Sequence, residues 1–251
     1  MSIESEWTIA PLILATAVRD KSQTLLYRDI GVKQEGAVLA WLLISSKEKI
    51  LVDTGASGVL NTPEFYGRYT QTSEQTLEAQ LMRFNTSPDE IKMVINTHLH
   101  ADHCAGNTLF KRAHFYVQKK EMDYARNPLP IHRHGYVVGL EGIKPLFEWV
   151  NFDLLEGEVN LAPGIKVLLT PGHTPGTQTV CVQTREGLYI IASDNIPFFE
   201  NMAVPENASF WPSSIFVDLK EYYESLDRIK SLKGFILPGH DPRVMEKNIY
   251  P

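Results

Sequence analysis

A chain of 251 residues with 43% hydrophobic content can bury a sizeable core within one large domain. Its formal charge of -6 argues against a surface built to track nucleic-acid phosphates. Two cysteines, Cys104 and Cys181, make no disulfide framework and fit a reducing cytoplasm.

The apolar run Ile9 to Val18 contains Pro11 and follows Glu4 and Glu6 instead of a basic segment. It reads as a strand, neither a signal peptide nor a membrane span. Ala37 to Ser45 and Glu48 to Asp53 read as two more strands joined in a hairpin by Ser45-Ser46-Lys47-Glu48. The second of these ends in Leu51-Val52-Asp53-Thr54-Gly55, where glycine permits a sharp exit. Asp53 is either a turn residue or a carboxylate that orients a metal-bound histidine. Asn61 to Gln71, with Phe65, Tyr66 and Tyr69, has no clear period.

Thr72 to Asn85 is expected to be helical, with Thr72 and Gln75 as a capping box and Leu77, Leu81 and Phe84 along a core-facing stripe. Ser87-Pro88-Asp89-Glu90 repeats the start signal and feeds the apolar run Lys92 to Thr97, which has the look of a buried strand. That run ends in Thr97-His98-Leu99-His100-Ala101-Asp102-His103, where three of the eight histidines stand beside a carboxylate. In extended backbone, residues two apart share a side, so His98, His100 and Asp102 can converge while His103 faces a neighbouring point. Nitrogen and oxygen donors this dense suit zinc-like ions. Cys104 to Phe110 is expected to open a helix, with Cys104 as a small packed residue in preference to a ligand.

His114 to Gln118 reads as a strand and Lys119 to Arg126 as a short helix. Asn127 to Val150 then carries His132, His134 and Tyr136 without a period, as a lid or substrate loop would. Further strands are expected at Ile165 to Thr170, Gln178 to Thr184 and Leu188 to Ser193, with a helix at Asp218 to Leu232 and a strand at Phe235 to Leu237. Three of these strands run into polar residues. Pro171-Gly172-His173-Thr174-Pro175-Gly176 is a rigid turn holding His173; Asp194 leaves an apolar strand and needs a cationic partner; Pro238-Gly239-His240-Asp241 carries His240.

The order His98-Leu99-His100-Ala101-Asp102-His103, then His173, Asp194 and His240, resembles the ligand set of the metallo-β-lactamase superfamily, and the likeness runs from Asp53 to Asp241. It implies an α/β chain folded as an αβ/βα sandwich, one domain over residues 1–251, with the metal site at one edge of two packed sheets. By that resemblance His98, His100 and His173 hold one ion, Asp102, His103 and His240 hold the other, and Asp194 bridges them. Two divalent ions, zinc or else iron, cobalt or manganese, would turn a shared water into hydroxide, and Asp102 would carry its proton.

Leu51-Val52-Asp53-Thr54-Gly55, the single bridging aspartate and Pro238-Gly239-His240-Asp241-Pro242-Arg243 are most similar to the N-acyl homoserine lactonase family. The helical basic C-terminal region of glyoxalase II relatives, the inserted domain or basic exosite of nuclease relatives, and the glutamate of flavodiiron relatives at the position of His100 are not seen. The resemblance implies a small-molecule substrate, no nucleic-acid or membrane partner, and a possible homodimer. Family lactonases place a tyrosine three residues after the bridging aspartate, where here Pro197 stands, followed by Phe198 and Phe199. Proline cannot donate a hydrogen bond. The metals alone, or His132, His134 or Tyr136, would then polarise the substrate, or the substrate is another ester, thioester or cyclic amide. Phe198, Phe199 and Trp211 are candidate walls of an apolar acyl pocket. A non-enzymatic binding module would use a closed four-coordinate ion, which a two-ion ligand set does not resemble.

Overall fold

A computed structural model of the protein describes residues 6–62, 65 and 67–251; Tyr66 lies outside the described residues. Two mixed sheets face each other. The first has six strands in sequential order: β1 (Thr8–Asp20), β2 (Lys33–Ile44), β3 (Lys49–Val52), β4 (Met93–Ile95), β5 (His114–Gln118) and β6 (Phe152–Leu155). Pairing is antiparallel from β1 to β3 and parallel from β3 to β6. The second sheet runs β11 (Phe235–Pro238), β10 (Gly187–Ser193), β9 (Gln178–Thr184), β8 (Ile165–Leu169) and β7 (Val159–Ala162), and only the β10–β11 pair is parallel.

The period of two along β2 explains why this chain makes a sandwich. Leu39, Trp41 and Leu43 face the layer between the sheets, against Val167, Val180, Val182 and Ile191. Val38, Ala40 and Leu42 face the other way, onto Leu77 and Leu81 of helix α1 (Leu77–Met82). A strand apolar on both faces needs cover on both faces, and helices supply the outer layers. On the second sheet Leu168, Ile190 and Ala192 pack under Tyr222, Leu226 and Ile229 of the helix Leu219–Ser231. That helix starts where Asp218 accepts from the Glu221 amide at 2.9 Å. The result is the αβ/βα sandwich.

The expected helix over 72–85 is shorter than its hydrophobic stripe. The Thr72–Gln75 capping box forms, but it closes a 3-10 turn at Ser73–Gln75, and Thr76 restarts the chain as the cap of α1. Between β4 and β5, α2 is Ala101–Cys104, and a 3-10 turn follows at Asn107–Leu109, so no helix spans 104–110. Strands β6 and β7 carried no clear alternation: Asp153 and Leu154 are exposed, and only pairing to β5 makes β6 a strand. Segment 127–150 is turns, with one 3-10 turn at Leu146–Glu148.

Candidate metal centre

Five strands end at one edge of the sandwich, and each delivers its polar residue there. Asp53 follows β3, residues 98–103 follow β4, His173 follows β8, Asp194 follows β10 and His240 follows β11. Strand carboxyl ends are where open α/β sheets carry their sites. Asp53 and Ser193, the residues that leave β3 and begin the exit from β10, both have left-handed backbone (φ 59° and 50°). This is strain of the kind stored at functional sites.

The seven resemblance-derived residues meet in two adjoining groups, His98, His100, His173 and Asp194 in one and Asp102, His103 and His240 in the other. In the first, His98 Nε2 lies 3.0 Å from His100 Nδ1, and His173 Nε2 lies 3.3 and 3.2 Å from those two atoms. Tetrahedral zinc with bonds of about 2.0–2.1 Å requires donor-to-donor edges of roughly 3.3–3.4 Å. The triangle of nitrogens is therefore already close to the size an ion needs. Asp194 joins the groups: its Oδ2 lies 3.3 Å from His173 Nε2, while its Oδ1 lies 3.1 Å from His103 Nε2 and 2.9 Å from His240 Nε2.

Asp102 does not join His98 and His100 on one side, as alternation along extended backbone predicts. The chain turns helical at Ala101, so the period of two stops at His100 and Asp102 swings to the group of His103.

Three ligand rings are aimed by the far nitrogen. His173 Nδ1 donates to the Ile215 carbonyl (2.8 Å) and His240 Nδ1 to the Ala37 carbonyl (2.7 Å), while His103 Nδ1 faces Asp53 Oδ2 at 2.8 Å. Donation there leaves the Nε2 lone pair for the centre. Asp53 also accepts from the Thr97 amide (2.8 Å) and hydroxyl (2.7 Å), so of its two sequence readings the structure supports the orienting one. His100 uses the opposite nitrogen, because its Nε2 edge lies against Gly135; a Cβ there would sit 2.8 Å from Cδ2 and 3.2 Å from Nε2.

Five imidazoles and the carboxylates of Asp53, Asp102 and Asp194 crowd the site. Burial, helped by the neighbouring histidines, lowers the affinity of His98 for a proton and pushes His100 down to about 3. These rings are neutral lone-pair donors. Against the cost of burial, Asp194 and Asp53 raise His103, and the neighbouring His240 and His103 rings hold Asp194 below the usual carboxylate range. Yet His103 Nε2, His240 Nε2 and Asp194 Oδ1 are buried and make no hydrogen bond among the described residues. Buried donor atoms without partners, converging on one spot, fit a cation. Cys104 belongs to neither group, and burial raises its thiol, as expected of a packed side chain.

The centre floors a cleft of about 790 Å³. His132 and His134 line it, with Arg19, Tyr69, Phe65 and Ile131. Tyr136 does not: its ring stands edge-on to His100 (centroids 4.8 Å apart) and its hydroxyl donates to Glu121 at 2.9 Å. Phe198, Phe199 and Trp211 also lie away from the cleft wall. Phe198 packs beside Gly36 and His240, Phe199 lies under the Arg243 guanidinium, and Trp211 is stacked by Arg28 at 3.6 Å and donates to the Leu26 carbonyl.

Two residues that sequence reasoning passed over matter here. Glu121 is fully buried and accepts from the Leu99 amide (3.0 Å), Tyr136 and Thr174 (2.5 Å), tying together the loops of His98 and His173 and segment 127–150. Nothing in Lys119-Lys120-Glu121-Met122 hints at this. Arg19 Nη2 donates to Asp102 Oδ2 at 3.0 Å. Its signal was legible in principle, since Arg19 is in phase with buried Ala17 while Val18 is 63% exposed.

A family model described as the metallo-beta-lactamase superfamily matches residues 34–240. The chain is 33% identical over 217 residues, 81% of each chain, to the N-acyl homoserine lactonase AiiA of Bacillus thuringiensis subsp. kurstaki. It is 32% identical over 218 residues, again 81% of each, to an N-acyl homoserine lactonase of Bacillus cereus. Among solved structures, a variant of B. thuringiensis AiiA with N-decanoyl-L-homoserine bound at the active site superposes with a TM-score of 0.75 at 25% identity, covering 95% of both chains. AidC, a dizinc quorum-quenching lactonase, gives a TM-score of 0.71 at 18% identity, covering 94% of this chain and 88% of that one, a likeness of fold alone.

Proposed function

The chain belongs to the metallo-beta-lactamase superfamily, as a metallohydrolase related to the N-acyl homoserine lactonases, and we propose that it opens a lactone ring, with an N-acyl homoserine lactone as the leading substrate. One observation carries this reading: seven donor atoms gather in two groups joined by the Asp194 carboxylate, at the floor of a solvent-open cleft.

In this proposal His98, His100 and His173 would hold one divalent cation, Asp102, His103 and His240 would hold a second, and Asp194 would serve both. Zinc suits the donors, as do iron, cobalt or manganese. Such a pair, when bound, acidifies water to near neutrality and polarises an acyl oxygen. The chain's own residues do the rest. Asp53, Ile215 and Ala37 fix the ring orientations, so the donors need no rearrangement during turnover. Asp102, with Oδ1 on the side of His103, would take the proton that the attacking water gives up and pass it to the oxygen that leaves the acyl carbon. Segment 127–150 acts as lid and substrate loop over this single domain, with His132 and His134 on its cleft side.

A second reading, hydrolysis of another ester, thioester or cyclic amide, draws support from two features. Pro197 offers no donor, and Phe198, Phe199 and Trp211 do not furnish an apolar acyl wall. A binding partner in the form of a homodimer is part of the proposal only by analogy with relatives; no helix among the described residues is long and apolar enough to cross a membrane. The test is turnover by zinc-loaded protein of acyl homoserine lactones of several chain lengths beside simple esters, thioesters and cyclic amides. Preference for lactones is expected. Turnover of thioesters or amides with inert lactones would replace the leading substrate by the second reading.

A further inference from the structure

Acyl transfer needs a donor aimed at the acyl oxygen, and the side chain at position 197 cannot be one. On segment 127–150 the polar side chains named above each already have a contact. Tyr136 spends its hydroxyl on Glu121, His132 Nδ1 faces the Tyr124 hydroxyl at 2.6 Å, and the His134 ring lies on Phe65 with centroids 4.5 Å apart.

The opposite wall differs. Arg19, on β1, lines the cleft with its side chain 26% exposed, and Nη2 reaches Asp102 Oδ2 at 3.0 Å. A guanidinium has five N–H donors, and among the described residues no second hydrogen bond from this one is found. The remaining fork stands beside the metal centre, in a wall that also holds the Tyr69 ring. Its planar geometry fits two oxygens on one carbon better than it fits a lone carbonyl.

Resting on the hydrolase reading, we infer that Arg19 is a substrate-contacting residue, which binds the acyl oxygen during attack and then the carboxylate of the opened product. In the step itself the water oxygen bonds to the acyl carbon and the bond from that carbon to the ring oxygen breaks. One water proton ends on the released ring oxygen, and the other leaves to solvent as the carboxylate forms. The Arg19 cation balances the charge that gathers on the acyl oxygens. Tyr69 stands in the field of Asp102, and His103 Nε2 lies 3.9 Å from Asp102 Oδ1, so that carboxylate keeps polar neighbours when Arg19 is replaced.

Zinc-loaded wild type, Arg19→Met, Arg19→Lys and Tyr69→Phe separate contact from mere positioning of Asp102. Three readouts are taken: zinc equivalents by elemental analysis, butyrate affinity by calorimetry, and kcat and KM on one lactone. Arg19→Met should keep its zinc, bind butyrate at least tenfold more weakly, and lose about 100-fold in kcat/KM, mostly in kcat. Arg19→Lys, a point charge without the fork, should fall between, and Tyr69→Phe should bind butyrate like wild type. Unchanged butyrate affinity in Arg19→Met, no butyrate binding by wild type, or weakening only in proportion to lost zinc would overturn the assignment. If wild type turns over no lactone, ester, thioester or amide, the hydrolase reading fails, whereas the butyrate titration still decides the role of Arg19.

Discussion

Replacing Glu121 removes the one acceptor shared by three segments of the centre, and the structure allows the cost to be worked out. The Leu99 amide, the Tyr136 hydroxyl and the Thr174 hydroxyl all point at this carboxylate, which has no exposed surface. In Glu121→Ala, Thr174 can turn to Thr177 Oγ1, 2.6 Å away, so two buried donors are left without an acceptor. At about 1–3 kcal/mol each, plus a small cavity, offset by no longer burying a charge, a net loss of about 3–4 kcal/mol is expected. Glu121→Gln keeps the shape and two of the acceptor contacts, and its amide can donate to Thr174, so about 1 kcal/mol is expected. Burial, against these hydrogen bonds, raises the Glu121 carboxyl above its ordinary value. Folding therefore favours the protonated form: that contribution is complete below the unfolded pKa and is lost as pH rises through the folded one. Wild type should lose stability relative to Glu121→Gln as pH climbs out of the ordinary carboxylate range. Urea unfolding of metal-stripped protein over a pH series measures both effects. A Glu121→Ala variant within 0.5 kcal/mol of wild type would refute the reasoning.

Three other substitutions probe the centre from different sides. Gly135→Ala pushes a methyl into the His100 ring and should weaken one of two zinc ions by tenfold or more in a chelator competition; equal affinity for both ions would count against the fit of His100. Asp53→Asn exchanges an acceptor of three hydrogen bonds for a group that accepts at one atom only, and a 10–100-fold loss of zinc affinity is expected by the same assay. Tyr136→Phe leaves the ring on His100 and removes one of the two hydrogen bonds to Glu121 Oε1, where the Leu99 amide remains, and should cost about 1 kcal/mol in unfolding with zinc content unchanged.

Much of the centre was legible because strand exits are local events. His98, His173, Asp194 and His240 each follow an apolar run, and a charged or imidazole side chain at such a point is conspicuous in the sequence. Their grouping came from the family resemblance, and the one geometric rule tried on its own, alternation through Asp102, failed where the backbone becomes helical at Ala101. What stayed hidden depends on tertiary approach. Glu121 looks like one more charge on a basic helix until three loops close over it. Aromatic side chains after Asp194 suggest an acyl pocket, yet β11 and the hairpin of β1 and β2 claim Phe198 and Phe199, and Arg28 claims Trp211. Exposed edges were hard for the opposite reason: β6 has a register only because β5 lies beside it.

Metal content per chain is the most direct test of the central claim that the two donor groups hold a pair of cations through Asp194. Elemental analysis of purified, zinc-reconstituted protein should give close to two equivalents for wild type, close to one for His173→Ala or His240→Ala, and loss at both sites for Asp194→Ala. Fewer than one equivalent in wild type, or two retained by Asp194→Ala, would contradict it.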